Sequence, residues 1–282
     1  MRDGHSNEAR IHKAAARGNA LVVLIHGGGF CLGHNSHINS YSRSIASFFN
    51  VNVVSISYRL APEFKFPTAP NDVWDAIEWL VKQDNRQTLG YEPSAGFLVG
   101  GVSAGANLAA VTVQRWGSEK LSPPISGAWL GIPWLMDEDI VPSDYQGLWF
   151  SREQNADSFI VGKEALEFMK EAYAPETTSP AFSPLNTKGS YENHPPTYIQ
   201  VCGKDPLRDD GLIYEKLLRE QGVSTRMDVY PGVPHGFADV FPELKIARKY
   251  RIDTMKGFGW LLGNEPHERA YAEAFEGITG GV

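Results

Sequence analysis

Short, wholly apolar runs alternate along the chain with stretches whose apolar positions recur every three or four residues. Leu21-Val22-Val23-Leu24-Ile25 reads as a buried strand, and comparable runs lie at 51–57, 96–100, 126–131, 197–202 and 226–230. Between them Val73, Ala76, Ile77, Leu80 and Val81 share one helix face, as do Leu212, Ile213, Leu217 and Leu218 of a second helix. Strands apolar on both sides, separated by amphipathic helices, predict an α/β fold. Its central sheet is mostly parallel, with helices on both faces. The rhythm breaks from Trp134 to about Pro184, where acidic residues mix with Pro142, Tyr145, Trp149, Phe150, Phe159 and Tyr173. A further helical turn is possible over Ala270 to Phe275, and no internal repeat is visible.

Composition narrows the function. A chain of 282 residues, 42% of them hydrophobic, can bury the core of one large domain spanning 1–282. The net charge of −7, without clustered Lys and Arg, argues against a nucleic-acid partner. No run of about 18 apolar residues predicts a membrane span. The first residues, with Arg2, Asp3 and Glu8, do not form a secretory signal. Two cysteines, Cys31 and Cys202, make no disulfide framework. They are expected to be buried thiols near strand ends, so the expected location is cytoplasmic.

The candidate chemistry sits on loops that follow strands, where a parallel sheet gathers its reactive groups. Ser103 lies within Gly101-Val102-Ser103-Ala104-Gly105, between an apolar strand and a helix-prone stretch, the sequence form of a nucleophile elbow. Upstream, the first strand runs into His26-Gly27-Gly28-Gly29-Phe30, whose glycine backbone can bring N–H groups close to an oxyanion. Downstream, strands lead to Asp205 and to His235-Gly236-Phe237, so nucleophile, acid and base appear in the order Ser103, Asp205, His235. A serine hydroxyl needs a histidine to take its proton, and the histidine needs a carboxylate to fix its tautomer. Asp209 and Asp210 lie close to Asp205 and read as charges at a helix N-terminus.

Rival sites read poorly. Gly27, Gly29 and Gly33 are spaced one residue too widely for a dinucleotide fingerprint. No phosphate-loop pattern exists, and His34 and His37 are an isolated surface pair without the spacing of a zinc site. No cofactor and no metal is expected.

These residues together resemble the α/β-hydrolases of the hormone-sensitive lipase-like family of carboxylesterases. The likeness is carried by His26-Gly27-Gly28-Gly29, by Gly101 to Gly105, by Tyr58-Arg59-Leu60-Ala61-Pro62-Glu63, by Asp205-Pro206-Leu207-Arg208-Asp209 and by His235-Gly236-Phe237. It covers the chain from about residue 10 to about residue 262. The resemblance implies Ser103 as nucleophile, His235 as general base and acid, and Asp205 as its partner. The backbone N–H groups of Gly28, Gly29 and Ala104 become oxyanion donors, and His26 shapes the glycine loop. Arg59, Glu63 and Asp72 become scaffold, and the interval 134–184 a lid over the pocket, although each of its aromatic residues taken singly reads more simply as packing the lid onto the body.

Two elbow positions depart from the family pattern: Val102 stands where an acid is common, and Ala106 where a glycine is common. Only 25 residues precede His26, so the N-terminal cap is expected to be shortened or missing, with Arg2 to His12 forming the family's first hairpin. The implied activity is hydrolysis of short to medium acyl esters of small molecules. Similar elbows in fungal enzymes near polyketide pathways make a secondary-metabolite ester or lactone a possible substrate. The rival is a non-catalytic small-molecule binding protein, because plant gibberellin receptors resemble this family but lack the histidine that His235 retains. A homodimer is possible by the same resemblance.

Overall fold

The computed structural model describes residues 1–271. Seven strands form one sheet: β1 (Ala9–His12), β2 (Leu21–Ile25), β3 (Asn52–Ile56), β4 (Phe97–Val102), β5 (Gly127–Gly131), β6 (Thr197–Cys202) and β7 (Thr225–Tyr230). Their spatial order is β1-β3-β2-β4-β5-β6-β7. All neighbours are parallel except β1 and β3.

The helices are α1 (Asn39–Phe49), α2 (Thr68–Leu80), α3 (Gln83–Leu89), α4 (Ala104–Ser118), α5 (Ser151–Gln154), α6 (Lys163–Tyr173), α7 (Arg208–Glu220), α8 (Phe237–Val240) and α9 (Lys245–Leu261). Every residue of β2 to β6 but Val102 is buried, and successive side chains feed opposite cores. Leu21, Val23 and Ile25 join one core with residues of α2, α4 and α7, whereas Val22 and Leu24 join another with residues of α1 and α9. The two-residue alternation, invisible in a wholly apolar strand, thus builds two cores from one run.

The expected strands are all present, with ends shifted by one or two residues. β4 reaches Val102 because its pairing continues to Val102 opposite Gly131, one residue before Ser103. The expectation of an N-terminal hairpin is corrected: β1 runs antiparallel to β3, on the sheet edge, and does not pair with β2. Residues before β1 lie along α2, where the Arg2 guanidinium makes two hydrogen bonds to Asp75 Oδ1, at 2.6 and 2.9 Å. The helical turn expected over 270–275 falls largely outside the described residues; only its first two, Ala270 and Tyr271, are described, and both are helical.

Arg59, Glu63 and Asp72 do not line the main cavity. Asp72 is buried in α2 and accepts from the Arg59 backbone N–H, Nε and Nη2, which fixes the segment after β3 to that helix. Both cysteines are free. Cys202 is buried at the end of β6 as expected, but Cys31 is half-buried and faces the cavity beyond the glycine loop, away from any strand end.

α9 approaches β6 closely at Gly257, where an added Cβ would stand 2.0 Å from the Tyr198 ring. Tyr198 is wedged in the sheet and cannot swing aside, so overpacking outweighs the gain of about 1 kcal/mol in helix propensity. Gly257→Ala is expected to lower unfolding free energy by about 1–3 kcal/mol; urea denaturation checks this, and an unchanged midpoint would refute the packing argument.

Candidate active site

The turn between β4 and α4 begins the site. Ser103 has φ 57° and ψ −120°, a backbone conformation that non-glycine residues rarely adopt. It is held because the Ser103 N–H donates to the Gly131 carbonyl at 2.8 Å and its own carbonyl accepts from Asn107 N–H at 3.1 Å. The turn also needs α4 to start almost against β2. At Gly105 an added Cβ would lie 2.2 Å from the Ile25 carbonyl oxygen and 2.4 Å from that of His26. Only a residue without a side chain fits there.

Three side chains from three loops converge. His235 Nε2 lies 2.9 Å from Ser103 Oγ, and His235 Nδ1 lies 2.7 Å from Asp205 Oδ2. All three are buried, and the other Asp205 oxygen accepts from the Leu207 N–H at 2.8 Å. The carboxylate therefore points in one direction, and the His235 nitrogen it faces must carry a proton when the other faces a hydroxyl.

The glycine loop stands beside Ser103. Gly28 has φ 119°, and a Cβ there would meet the Leu32 carbonyl oxygen at 2.0 Å. Its carbonyl accepts from Cys31 and Leu32, which curls the loop. Among the described residues, the N–H groups of Gly28, Gly29 and Ala104 donate to no other group of the protein. His26 stacks on Tyr58 with ring centroids 4.4 Å apart, and the Tyr58 hydroxyl donates to the His26 carbonyl at 3.1 Å. Burial lowers the His26 pKa to about 4, so this ring is neutral and braces the loop from behind.

A cavity of about 1070 Å³ opens over these groups, lined among others by Gly28, Gly29, Ser103 and His235. Val161, Leu166 and Met169 from the 134–184 interval cover part of it, and no residue before His26 contributes. His37 also lines the cavity, while His34 binds Ser36 and Glu8 at the surface, so the pair does not act together.

Asp209 and Asp210 do more than charge the start of α7. Asp209 Oδ2 accepts from the N–H groups of Phe150 and Ser151, at 2.8 and 2.6 Å. Asp210 Oδ2 accepts from Leu135 and Met136 N–H and from Arg152 Nη2, and Asp210 Oδ1 from Trp149 Nε1. The 134–184 interval is thereby fastened to the helix that follows Asp205. Nothing in the sequence marked this use, because the partners, four backbone N–H groups and the side chains of Trp149 and Arg152, lie more than fifty positions away.

With this geometry in place, comparison with known proteins is direct: the family described as alpha/beta hydrolase fold matches residues 22–239. The chain belongs to the α/β-hydrolase family. Within it, the AB hydrolase superfamily protein B1A11.02 of Schizosaccharomyces pombe is 34% identical over 270 residues, which cover 95% of this chain and 79% of that protein. The versiconal hemiacetal acetate esterase of Dothistroma septosporum is 28% identical, over 90% of this chain and 77% of that hydrolase. The crystal structure of vibralactone cyclase matches with a TM-score of 0.87 at 32% identity, over 94% of this chain and 79% of that one.

Removing one partner of a buried, multiply bonded charge leaves the others stranded. Asp210→Ala is expected to destabilise the protein by about 3–5 kcal/mol and to open the interval between Glu138 and Lys163 to protease. Denaturation and limited proteolysis test this together; a loss below about 1 kcal/mol with unchanged cleavage would exclude the anchoring role.

Proposed function

We propose that the protein is a serine carboxylesterase acting on short to medium acyl esters through an acyl-enzyme intermediate. The observation that carries this reading is the continuous chain from Ser103 Oγ through His235 to Asp205, with contacts of 2.9 and 2.7 Å. His235 Nε2 takes the Ser103 proton as Oγ attacks the ester carbonyl, and Asp205 holds the Nδ1 proton and stabilises the imidazolium. The unspent N–H groups of Gly28, Gly29 and Ala104 receive the developing oxyanion, with the N-terminus of α4 adding its positive end. His235 then returns the proton to the leaving alcohol. In the second half it activates water to release the acid.

The retained His235 contact disfavours a purely binding role, since a receptor needs no proton acceptor on Ser103. Two further readings each have a specific observation behind them. The structural likeness to vibralactone cyclase supports resolution of the acyl-enzyme by a nucleophile within the substrate in place of water. The likeness to versiconal hemiacetal acetate esterase supports a secondary-metabolite ester as natural substrate.

p-Nitrophenyl acetate, butyrate, octanoate and palmitate, offered to wild-type and variant proteins, test the reading. Ser103→Ala is expected to lose on the order of 10⁶ in kcat, and Asp205→Asn on the order of 10⁴. Butyrate should be cleaved faster than palmitate. Wild-type turnover surviving in Ser103→Ala would overturn the assignment.

A further inference from the structure

The cavity lining has two chemistries. The part supplied by the 134–184 interval is apolar, with Trp134, Val161, Leu166 and Met169, and carries the single charged residue Glu164. A second part comes from α1, α8 and α9 and presents Ser40, Tyr41, Asp239 and Arg251. α8 starts two residues after His235, so this polar corner adjoins the reacting groups through the backbone that places them.

The corner is built and incompletely satisfied. Tyr41 is 3% exposed, its ring lies 5.4 Å from that of Trp129, and its hydroxyl is 3.4 Å from Asp239 Oδ1, a long contact. Arg251 donates through Nη2 to the Ala238 carbonyl at 2.8 Å and is hydrogen-bonded to Tyr41, and its Nε is buried out of reach without a partner, so what it offers where it lines the cavity is its remaining N–H groups. Asp239 and Arg251 are close enough for each to feel the other's charge, yet among the described residues they form no ion pair. Asp239 is exposed although crowded by protein, as a carboxyl opening onto a cavity must be, and that crowding raises its pKa.

A donor and an acceptor thus stand apart in one corner. An anionic substrate group would be repelled by Asp239 and an ammonium group by Arg251. An alkyl group would desolvate both without compensation. A neutral hydroxyl can donate to the first and accept from the second.

We propose that Tyr41, Asp239 and Arg251 form a recognition site for a substrate hydroxyl, so that the preferred substrates are esters bearing a neutral hydroxyl several atoms from the ester carbonyl. This rests on the esterase reading above, and the test separates the two. Two matched pairs are used: butyl butyrate with 4-hydroxybutyl butyrate, and methyl hexanoate with methyl 6-hydroxyhexanoate. kcat/KM is measured with wild-type protein, and dissociation constants for the intact esters with Ser103→Ala protein.

The hydroxylated member should be favoured about tenfold in at least one pair by both readouts, the effect of one hydrogen bond to a charged group. Arg251→Met and Asp239→Leu should bring that ratio to near one, and Tyr41→Phe, the mildest change, should reduce it. A ratio is read within one protein, so partial loss of stability cancels. Ratios within twofold of one in both wild-type pairs, or a preference unchanged in all three variants, would overturn the proposal. If wild type turns over no ester while the dissociation constants still favour the hydroxylated member, the esterase reading falls and the recognition site stands.

Discussion

The approach of α4 to the end of β2 is the constraint on which the rest of the site depends. With no side chain at Gly105, the helix can begin against the carbonyls of Ile25 and His26, and Ser103 is pushed up on a backbone with φ 57°. The same contact fixes the glycine loop, because the strand end that Gly105 touches is the one from which that loop departs. Ser103 and the loop are therefore placed by one event of packing, which is why neither needs a flexible tether. His26 completes the arrangement from below as a neutral ring held on Tyr58, since a charged imidazolium at that depth would be strongly disfavoured.

A second constraint joins the 134–184 interval to the turn that carries Asp205. Ser151 Oγ donates to the Pro206 carbonyl at 2.7 Å, and Asn155 Nδ2 to the Asp205 carbonyl at 3.0 Å. With the bonds to Asp209 and Asp210, they tie one segment of loops and short helices to the turn that orients His235. The aromatic residues of that segment serve mostly as fasteners: Tyr173 stacks on Phe30 at 4.1 Å, and Trp149 donates to Asp210.

Much of this was legible in the sequence, for a physical reason. A nucleophile elbow and a glycine loop are contiguous, since tight turns impose their demands on adjacent residues, and Ser103 and the 26–29 run declare themselves. Wholly apolar strands announce a sheet covered on both faces. What stayed hidden depends on partners remote in sequence. Arg2 to His12 read as a hairpin, but that stretch holds one strand, β1, and its partner β3 is reached only after the sheet order is known. Asp209 and Asp210 look like helix-start charges until the backbone they hold is brought near. Tyr41, Asp239 and Arg251 come from three helices and share no spacing at all. Cys31 stands only six positions beyond the end of β2, but the curl of the glycine loop decides where it points.

The fastening of the cover has a consequence for traffic. The stretches bonded to the turn after Asp205, Leu135 to Met136 and Trp149 to Ser158, cannot move away without disturbing the carboxylate that orients His235, and the opening of the cavity lies beside them. Its rim includes Leu32, Phe168 and Val240, which line the cavity and are 68%, 70% and 51% exposed. Under the esterase reading, size selection would operate at this doorway, through the speed of encounter, before the affinity of the interior is consulted.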